Sequence, residues 1–339
     1  MDWLGVGLGV VAGLALFLYG VGRLAHGLRT VAGDRMRALL ERATRNRVMA
    51  VGAGTLATAV LDSSSVTIIL VIALVDAGAI SATRALGVIL GANIGTTISS
   101  QVIALDVERY APLVLALGLA LAALGRRDTW REVGTALFGM GLVFFGLGQI
   151  GGAVEPLRES GSFAEWMTRL ESPLAGASVG ALATVVIQSS SATLGIAITL
   201  ASQGLLALPA GVAVMLGAEI GTCADTLAAT IGRSREALRA GIFHLAFNIA
   251  TVTLGLFLVE PLTAIARGLG GDTARQVANA HVAFNVAGVL LVLPFLGPIA
   301  AGLRRFVPDA APSGSGTRVR AGRPQLGGAT AIDAAAPDA

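Results

Sequence analysis

The segment GTLATAVLDSSSVT, residues 54–67, recurs 126 residues later as GALATVVIQSSSAT, residues 180–193. Both copies place three consecutive serines in apolar sequence, at Ser63–Ser65 and Ser189–Ser191. An unpaired polar group in hydrocarbon costs several kcal/mol, so three adjacent hydroxyls are a poor choice for a lipid-facing helix. Their occurrence twice in matching frames indicates that the serines have a function.

Two further blocks keep the same spacing. GLALFLYG at residues 13–20 matches GMGLVFFG at residues 139–146, and LGANIGTT at residues 90–97 matches LGAEIGTC at residues 216–223. Three separated blocks in one ungapped register predict an internal duplication. The expected segments are membrane repeat 1 at 1–126, inverted membrane repeat 2 at 127–252, an additional transmembrane region at 253–305 and a disordered cytoplasmic tail at 306–339.

The composition is that of a chain that crosses a membrane several times. It is 54% hydrophobic and 13% charged, whereas soluble domains carry about 25% charged residues. Several apolar runs reach the ~20 residues that a spanning helix needs. The expected spans are Trp3–Gly22, Ala85–Leu105, Ala111–Gly125, Val133–Gly151, Ala207–Ile231, Ala237–Val259 and Ala278–Ala300. The first has no basic segment before it and is interpreted as a retained span, not a signal peptide.

The basic residues are all arginines, and they predict the orientation rather than binding to nucleic acid. Such clusters in short loops mark the cytoplasmic side. The clusters lie at 23–47, 126–131, 233–239 and 304–305, and an acidic stretch at 155–171 fits the outside. Threading the chain with re-entrant hairpins at 48–76 and 173–203 brings every basic cluster inside and inverts the second repeat. The predicted fold is therefore an all-α polytopic protein of the inner (plasma) membrane, built from inverted-topology repeats with re-entrant helical hairpins. Residues 35–47 are interpreted either as an amphipathic surface helix or as a plain loop.

Inverted repeats with interrupted helices are the design of many secondary transporters. The N-terminus of a half-helix presents unpaired N–H groups that bind anions, and hydroxyls donate to an oxyanion or accept toward a cation. With Asp62 and Gln188 beside the serines, such a site can hold a tetrahedral oxyanion together with small cations. The competing interpretation is that each serine bonds a carbonyl of its own helix.

The LGANIGTT and LGAEIGTC blocks add polar groups to the same helical context. Their spaced glycines fit a helix-packing face, whereas Asn93, Thr96, Thr97 and Thr222 are interpreted as facing the site. Glu219, a carboxylate deep in an apolar run, is a functional candidate by default. It is expected either to couple transport to an ion or to be protonated or locally paired, for example with a histidine.

Two histidines share the pattern His-x-x-Phe-Asn, at His244 and His281. Histidine and asparagine four residues apart lie on one helix face, and we expect hydrogen bonds between the last two spans. A proton relay with Glu219 is the alternative. The single Cys223 allows no intramolecular disulfide and provides no metal motif.

Together these motifs resemble the sodium-dependent phosphate cotransporters of the Na/Pi type II family over about residues 5–300. The resemblance implies symport of inorganic phosphate with Na⁺ by alternating access, without enzymatic activity and with no cofactor besides the coupling Na⁺. It implies substrate binding by Ser63, Ser64, Ser65, Asn93, Thr96, Thr97, Ser189, Ser190, Ser191 and Thr222, and sodium binding by Gln188, Ser189 and Thr222. Asp62 is a further predicted sodium ligand because its carboxylate provides hard oxygen atoms.

The chain departs from the family pattern at three positions. Asp62 stands where Gln is expected, Glu219 where Asn is expected, and Cys223 where the second Thr is expected. The two added carboxylates would repel phosphate unless Na⁺ or protons neutralise them. Many bacterial relatives also carry a PhoU-like helical domain, and we expect this chain, at 339 residues, to be a minimal form without one.

Three other functions remain open from the sequence. The chain could transport another oxyanion or a small carboxylate, with proton coupling through Glu219. It could be an intramembrane serine hydrolase that uses His244 or His281, although a hydrolase needs one nucleophile and the serine triplet is duplicated. A scaffold or lipid-interacting role would leave the buried polar groups unexplained. The expected partners are phosphate, Na⁺ and the lipid bilayer, with a homodimer suggested by the glycine-rich spans.

Overall fold

The computed structural model describes residues 3–42, 46–105 and 108–309. Its regular structure is helical in all of these ranges, and six segments there are long and apolar enough to cross a bilayer. The all-α polytopic fold class is therefore confirmed. The helices are α1 (Trp3–Arg42), α2 (Arg47–Leu61), α3 (Ser64–Asp76), α4 (Ala82–Ile103), α5 (Ala111–Leu124), α6 (Asp128–Val154), α7 (Gly161–Arg169), α8 (Pro173–Ile187), α9 (Ser190–Ser202), α10 (Leu208–Gly221), α11 (Cys223–Ala228), α12 (Arg235–Phe257), α13 (Val259–Gly268), α14 (Thr273–Val292) and α15 (Leu296–Phe306).

The helices repeat with the period of the sequence. Helices α8 and α9 begin and end 126 residues after α2 and α3, and α10 begins 126 residues after α4. The predicted pair of half-length helices at each serine triplet is confirmed, since α2 and α3, like α8 and α9, are separated by only two residues. The boundaries of the four chain segments stay predictions, and residues 310–339 of the predicted tail lie outside the described residues.

Helices α1 and α6 occupy equivalent positions in the two repeats and run antiparallel. A Cβ atom added at Gly13 would lie 2.8 Å from the carbonyl oxygen of Gly146, and one added at Gly20 would lie 2.8 Å from that of Gly139. As residue numbers rise along α1, the residue numbers of its contacts on α6 fall, so the two helices run in opposite directions. Equivalent helices of an inverted repeat must have this antiparallel orientation. These glycines are used for packing inside the chain, so they offer no support for the suggested homodimer.

The first span is longer than predicted. Helix α1 has 40 residues, which is about 60 Å at 1.5 Å per residue, twice the ~30 Å hydrocarbon core. The helix continues past the predicted end at Gly22 because the glycines in this stretch do not interrupt it. Residues 35–42 are helical, as one of the two interpretations of residues 35–47 expected, but they belong to α1. Residues 43–45 of that predicted surface helix lie outside the described residues.

Three other predicted spans differ from the observed helices. Helix α5 has 14 residues, about 21 Å, and is too short to cross the core alone as a straight helix. The span predicted from Ala207 breaks at Thr222 between α10 and α11. The last predicted span is interrupted by a 3₁₀ turn at Leu293–Phe295, because Pro294 cannot donate the backbone hydrogen bond that would continue α14.

Helices α4 and α10 lie at the centre of the fold and are buried on most faces. One hydrophobic cluster joins α2, α3 and α4 to α12 and α15, and a second joins α9 and α10 to α13 and α14. Across the repeats, α4 packs on α9, and α11 packs on α3. Helix α9, which begins at Ser190, therefore lies against α4 of the first repeat, and α3, which begins at Ser64, lies against α11 of the second.

Candidate functional site

Both hairpins turn on a residue in the left-handed backbone conformation. Asp62 ends α2 with φ 52°, and Gln188 ends α8 with φ 60°. These are the only non-glycine residues with positive φ among those the structure describes. This conformation is uncommon for a residue with a side chain, so both tips hold backbone strain at the position just before a serine triplet.

The first serine of each triplet is an N-cap. The hydroxyl oxygen of Ser63 accepts a hydrogen bond from the Val66 N–H at 3.3 Å, and that of Ser189 accepts one from the Ala192 N–H at 3.2 Å. Such a cap satisfies one of the free N–H groups of the first helical turn. Ser63 and Ser189 thus have a structural role at the helix start, and a hydroxyl proton remains for a further partner.

The second and third serines lie in the first turn of α3 and α9. Ser64, Ser65 and Ser190 are buried, whereas Ser191 is half-buried. The first-turn N–H groups that the cap does not reach have no partner within the helix. Two antiparallel repeats therefore each provide a helix N-terminus with hydroxyls, an arrangement that can bind an oxyanion.

The threonines of α4 and α10 bond to their own helices. The Thr96 hydroxyl donates to the Ala92 carbonyl at 3.1 Å, and the Thr222 hydroxyl donates to the Ala218 carbonyl at 3.0 Å. Thr97 donates in the same way to Ile94. A hydroxyl whose proton is already donated can offer only oxygen lone pairs to a ligand. This geometry suits a cation, and it favours the predicted sodium role of Thr222 over its predicted contact with an anion.

Asp62 of the first repeat and Asp225 of the second are carboxylates that accept hydrogen bonds from serines. Asp62 accepts a hydrogen bond from the Ser99 hydroxyl, and Asp225 accepts one from the Ser65 side chain of the other repeat. Sequence analysis missed Asp225. The 126-residue register would have found it, because it aligns Ser99 with Asp225 as it aligns Asp62 with Gln188.

Glu219 is buried and locally paired, as one of the two sequence interpretations expected. Its Oε1 lies 2.8 Å from His281 Nε2 and accepts a hydrogen bond of 2.9 Å from Asn285 Nδ2. The other ring nitrogen of His281, Nδ1, lies 2.7 Å from the hydroxyl of Ser100. Glu219 therefore links the second repeat to α14, which in turn contacts the first repeat.

The predicted hydrogen bonds between the last two spans are wrong, because the two histidines bond to other helices. His244 Nδ1 bonds the Thr226 hydroxyl of α11 at 2.8 Å, and His281 bonds α4 and α10. The hydrogen bonds are interhelical, but they join α12 to α11, and α14 to α4 and α10, instead of joining α12 to α14. Since Ser100 and Thr226 are 126 residues apart, the two histidines bond to equivalent positions of the two repeats.

A cavity of about 470 Å³ lies beside the first hairpin tip. Side chains of α1 and α6 form much of its apolar wall, and Asp62 and Ser99 are the polar residues that line it. The cavity offers a path to the Asp62 carboxylate. Among the described residues, no three His, Cys, Asp or Glu side chains converge as a transition-metal site would require.

A family profile described as Na⁺/Pi-cotransporter matches residues 16–152 and again residues 158–296. Relatives include the uncharacterized protein YqeW of Bacillus subtilis, which is 29% identical over 78% of this chain and 87% of its own length. The Escherichia coli K12 protein named "Putative inorganic phosphate export protein YjbB" is 26% identical over 75% of this chain and 48% of its own. The rat protein named sodium-dependent phosphate transport protein 2A is 34% identical over 32% of this chain and 18% of its own.

The chain thus spans about half of the phosphate export protein and a smaller part of the rat transporter. No solved structure matches it. The family description and the names of the Escherichia coli and rat relatives are those of transporters, not of enzymes. With two profile matches that cover most of the sequence and both serine triplets, this chain belongs to the Na⁺/Pi-cotransporter family.

Proposed function

We propose that this chain carries inorganic phosphate together with Na⁺ across the inner (plasma) membrane by alternating access. The observation that carries the proposal is the pair of serine-bearing helix N-termini, at Ser64 and Ser190, on two antiparallel repeats. A site formed by inverted repeats can open to either side while its binding groups stay near the midplane. The distribution of arginines supports a cytoplasmic C-terminal tail.

The triplet serines would bind phosphate through hydroxyl protons and first-turn N–H groups. Ser64, Ser190 and Ser191 have the position for this contact. The Ser65 hydroxyl donates to Asp225, so Ser65 would contribute its first-turn N–H, and Ser63 and Ser189 contribute as caps and as further ligands. Asn93 would add an amide donor, since its Nδ2 is buried and has no protein partner in the described part of the chain.

Cations are required by the charge of this region. Asp62, Glu219 and Asp225 are acidic side chains of the interior helices and their breaks, and no arginine occurs in the segments α2–α3 and α8–α11 after Arg47. A phosphate anion would be repelled by ionised carboxylates at short range. Sodium ions on Asp62, Gln188, Ser189 and Thr222 would reduce this repulsion, which makes co-binding of Na⁺ and phosphate the consistent arrangement.

Export is the second candidate, because the Escherichia coli relative is named for phosphate export. In a symporter, an inward Na⁺ gradient drives phosphate into the cell. Export would therefore need a different coupling ion or a reversed electrochemical gradient. Transport of another oxyanion or a small carboxylate is distinguished from phosphate transport by competition.

We expect proteoliposomes that contain the full chain to accumulate labelled phosphate under an inward Na⁺ gradient. Because the cations neutralise the site, replacing external Na⁺ with choline should reduce uptake to the level of protein-free vesicles. Unlabelled phosphate should compete, whereas sulfate and citrate should not. Uptake that is the same with and without Na⁺ would contradict the coupling, and competition by sulfate or citrate alone would contradict the substrate.

A further inference from the structure

The two histidines of the His-x-x-Phe-Asn motifs are held alike, one against each repeat. His281 Nδ1 lies 2.7 Å from the Ser100 hydroxyl, and His244 Nδ1 lies 2.8 Å from the Thr226 hydroxyl. Both imidazoles are fully buried. With their Nδ1 atoms in equivalent contacts, any difference in chemistry between the two histidines must come from what faces Nε2.

The two histidines differ in what lies next to their Nε2 atoms. His281 Nε2 lies 2.8 Å from the Glu219 carboxylate. Position 93, 126 residues before Glu219, carries an asparagine. Neither His244 Nε2 nor Asn93 Nδ2 has a hydrogen-bond partner in the described part of the chain. Only one of the two histidines is therefore paired with an acid.

The pair of Glu219 and His281 can hold either of two proton counts while both ring nitrogens of His281 stay hydrogen-bonded. With one proton on the ring, at Nε2, the ring donates to the carboxylate and accepts at Nδ1 from the Ser100 hydroxyl. With a second proton, at Nδ1, the ring donates to the Ser100 oxygen. The net charge of the pair changes from −1 to 0, while Asn285 Nδ2 donates to Glu219 in both states.

The groups around the pair leave it without a fixed positive neighbour in the interior. From α11 and α12 the titratable side chains near it are Cys223, Asp225 and His244, and α8 and α9 have no titratable side chain. The guanidinium of Arg275, on α14, donates to the Gln101 carbonyl at the end of α4. The remaining charged residues of the packed elements stand at helix ends: Arg84 of α4, Arg235, Glu236 and Arg239 of α12, and Glu260 and Arg267 of α13.

We propose that Glu219 and His281 form a proton-binding site, and that a proton bound there favours binding of the phosphate anion. The inference rests on the proposed phosphate transport and adds a proton to the ions that accompany phosphate. Loading the pair removes one negative charge from a region with three acidic side chains, so less repulsion opposes the anion. By thermodynamic reciprocity, phosphate binding must then raise the affinity of the pair for its proton.

Two-buffer calorimetry on the purified full chain in saturating Na⁺ measures the protons taken up when phosphate binds. Phosphate itself titrates, but its contribution is the same for every variant. We expect the wild type to take up more protons than Glu219→Gln, with a difference that approaches one. The phosphate affinity of the wild type should also fall more steeply with rising pH than that of Glu219→Gln. For one linked proton the affinity falls by up to about tenfold per pH unit.

The matched control is His244→Gln, which changes the equivalent histidine that lacks an acid partner. It should keep the proton uptake of the wild type, whereas His281→Gln should lose it as Glu219→Gln does. Equal proton uptake by wild type, Glu219→Gln and His281→Gln would overturn the proposal. A wild type that takes up no proton beyond the phosphate contribution would overturn it without any variant.

A readout that needs no phosphate separates this inference from the proposed function. In ¹⁵N-histidine-labelled wild type, proton binding to the pair should appear as a pH-dependent change in the His281 ring resonances, and those of His244 should not follow the same curve. If phosphate does not bind but His281 titrates, the proton site stands and the transport proposal falls. If the His281 ring resonances do not change with pH, the proton site is wrong whatever the substrate.

Discussion

Phosphate uptake by Ser190→Ala is expected to fall by about 10- to 150-fold relative to the wild type. The substitution removes a buried hydroxyl at the N-terminus of α9, and a hydrogen bond to a charged group contributes about 1.5–3 kcal/mol. The capping serine, Ser189, is untouched, so the start of the helix should be preserved. Initial rates of labelled phosphate uptake in proteoliposomes, measured over a range of phosphate concentrations, test the expectation.

Two comparisons make this result specific. Ser64→Ala, at the equivalent position of the first repeat, should cause a loss of similar size because a two-sided site uses both helix N-termini. Ser202→Ala, at the other end of α9, removes a hydroxyl that donates to the Thr199 carbonyl of its own helix, and uptake should stay near the wild-type level. Unchanged uptake in both Ser64→Ala and Ser190→Ala would exclude the triplets as the phosphate site.

Gly217→Ala is expected to destabilise the fold severely. A Cβ atom at this position would lie far inside van der Waals contact of the Ala177 carbonyl oxygen. Gly91 has the same relation to the Val51 carbonyl, 126 residues earlier. A backbone atom cannot move aside as a side chain can. The loss should therefore reach or exceed the upper end of the ~1–3 kcal/mol typical of overpacking, more than the ~1 kcal/mol that alanine gains over glycine in a helix.

The measurement is the unfolding temperature of the detergent-solubilised protein, together with the yield of monodisperse chain. Gly91→Ala should behave like Gly217→Ala, because both helices approach their hairpin equally closely. Gly152→Ala is the control: it lies in α6 with no atom within 4 Å of the added Cβ, so its unfolding temperature should equal or exceed that of the wild type. A Gly217→Ala protein as stable as the Gly152→Ala control would show that α10 and α8 are not packed as described.

The hairpins were predictable because their signal is local. Three polar residues in the middle of a run too long for one span mark a break, and the helices do separate between Leu61 and Ser64 and between Ile187 and Ser190. Helix lengths were less predictable. The continuation of α1 past Gly22 and the 14 residues of α5 depend on packing against α6, which apolar composition does not encode.

Side-chain partners could be predicted only in part. The sequence marked Glu219 as a buried carboxylate that needs a partner, but His281 lies 62 residues away along the chain. Asp225 lies two residues beyond the matching block that ends at Cys223, and only the 126-residue register, which aligns it with Ser99, marks its position. The threonine hydroxyls were expected to face the ligand, yet Thr96 and Thr222 donate to carbonyls of their own helices.

The sequence by itself determined the membrane class, the duplication and the position of both serine triplets. All three follow from periodic or local patterns of apolar and polar residues, and such patterns have the same meaning wherever the helices finally lie. Only the tertiary structure decided which acid meets which donor: Asp62 with Ser99, Asp225 with Ser65, and Glu219 with His281. These pairings join residues 37 to 160 positions apart, and they depend on how antiparallel helices pack, which no spacing along one chain can specify.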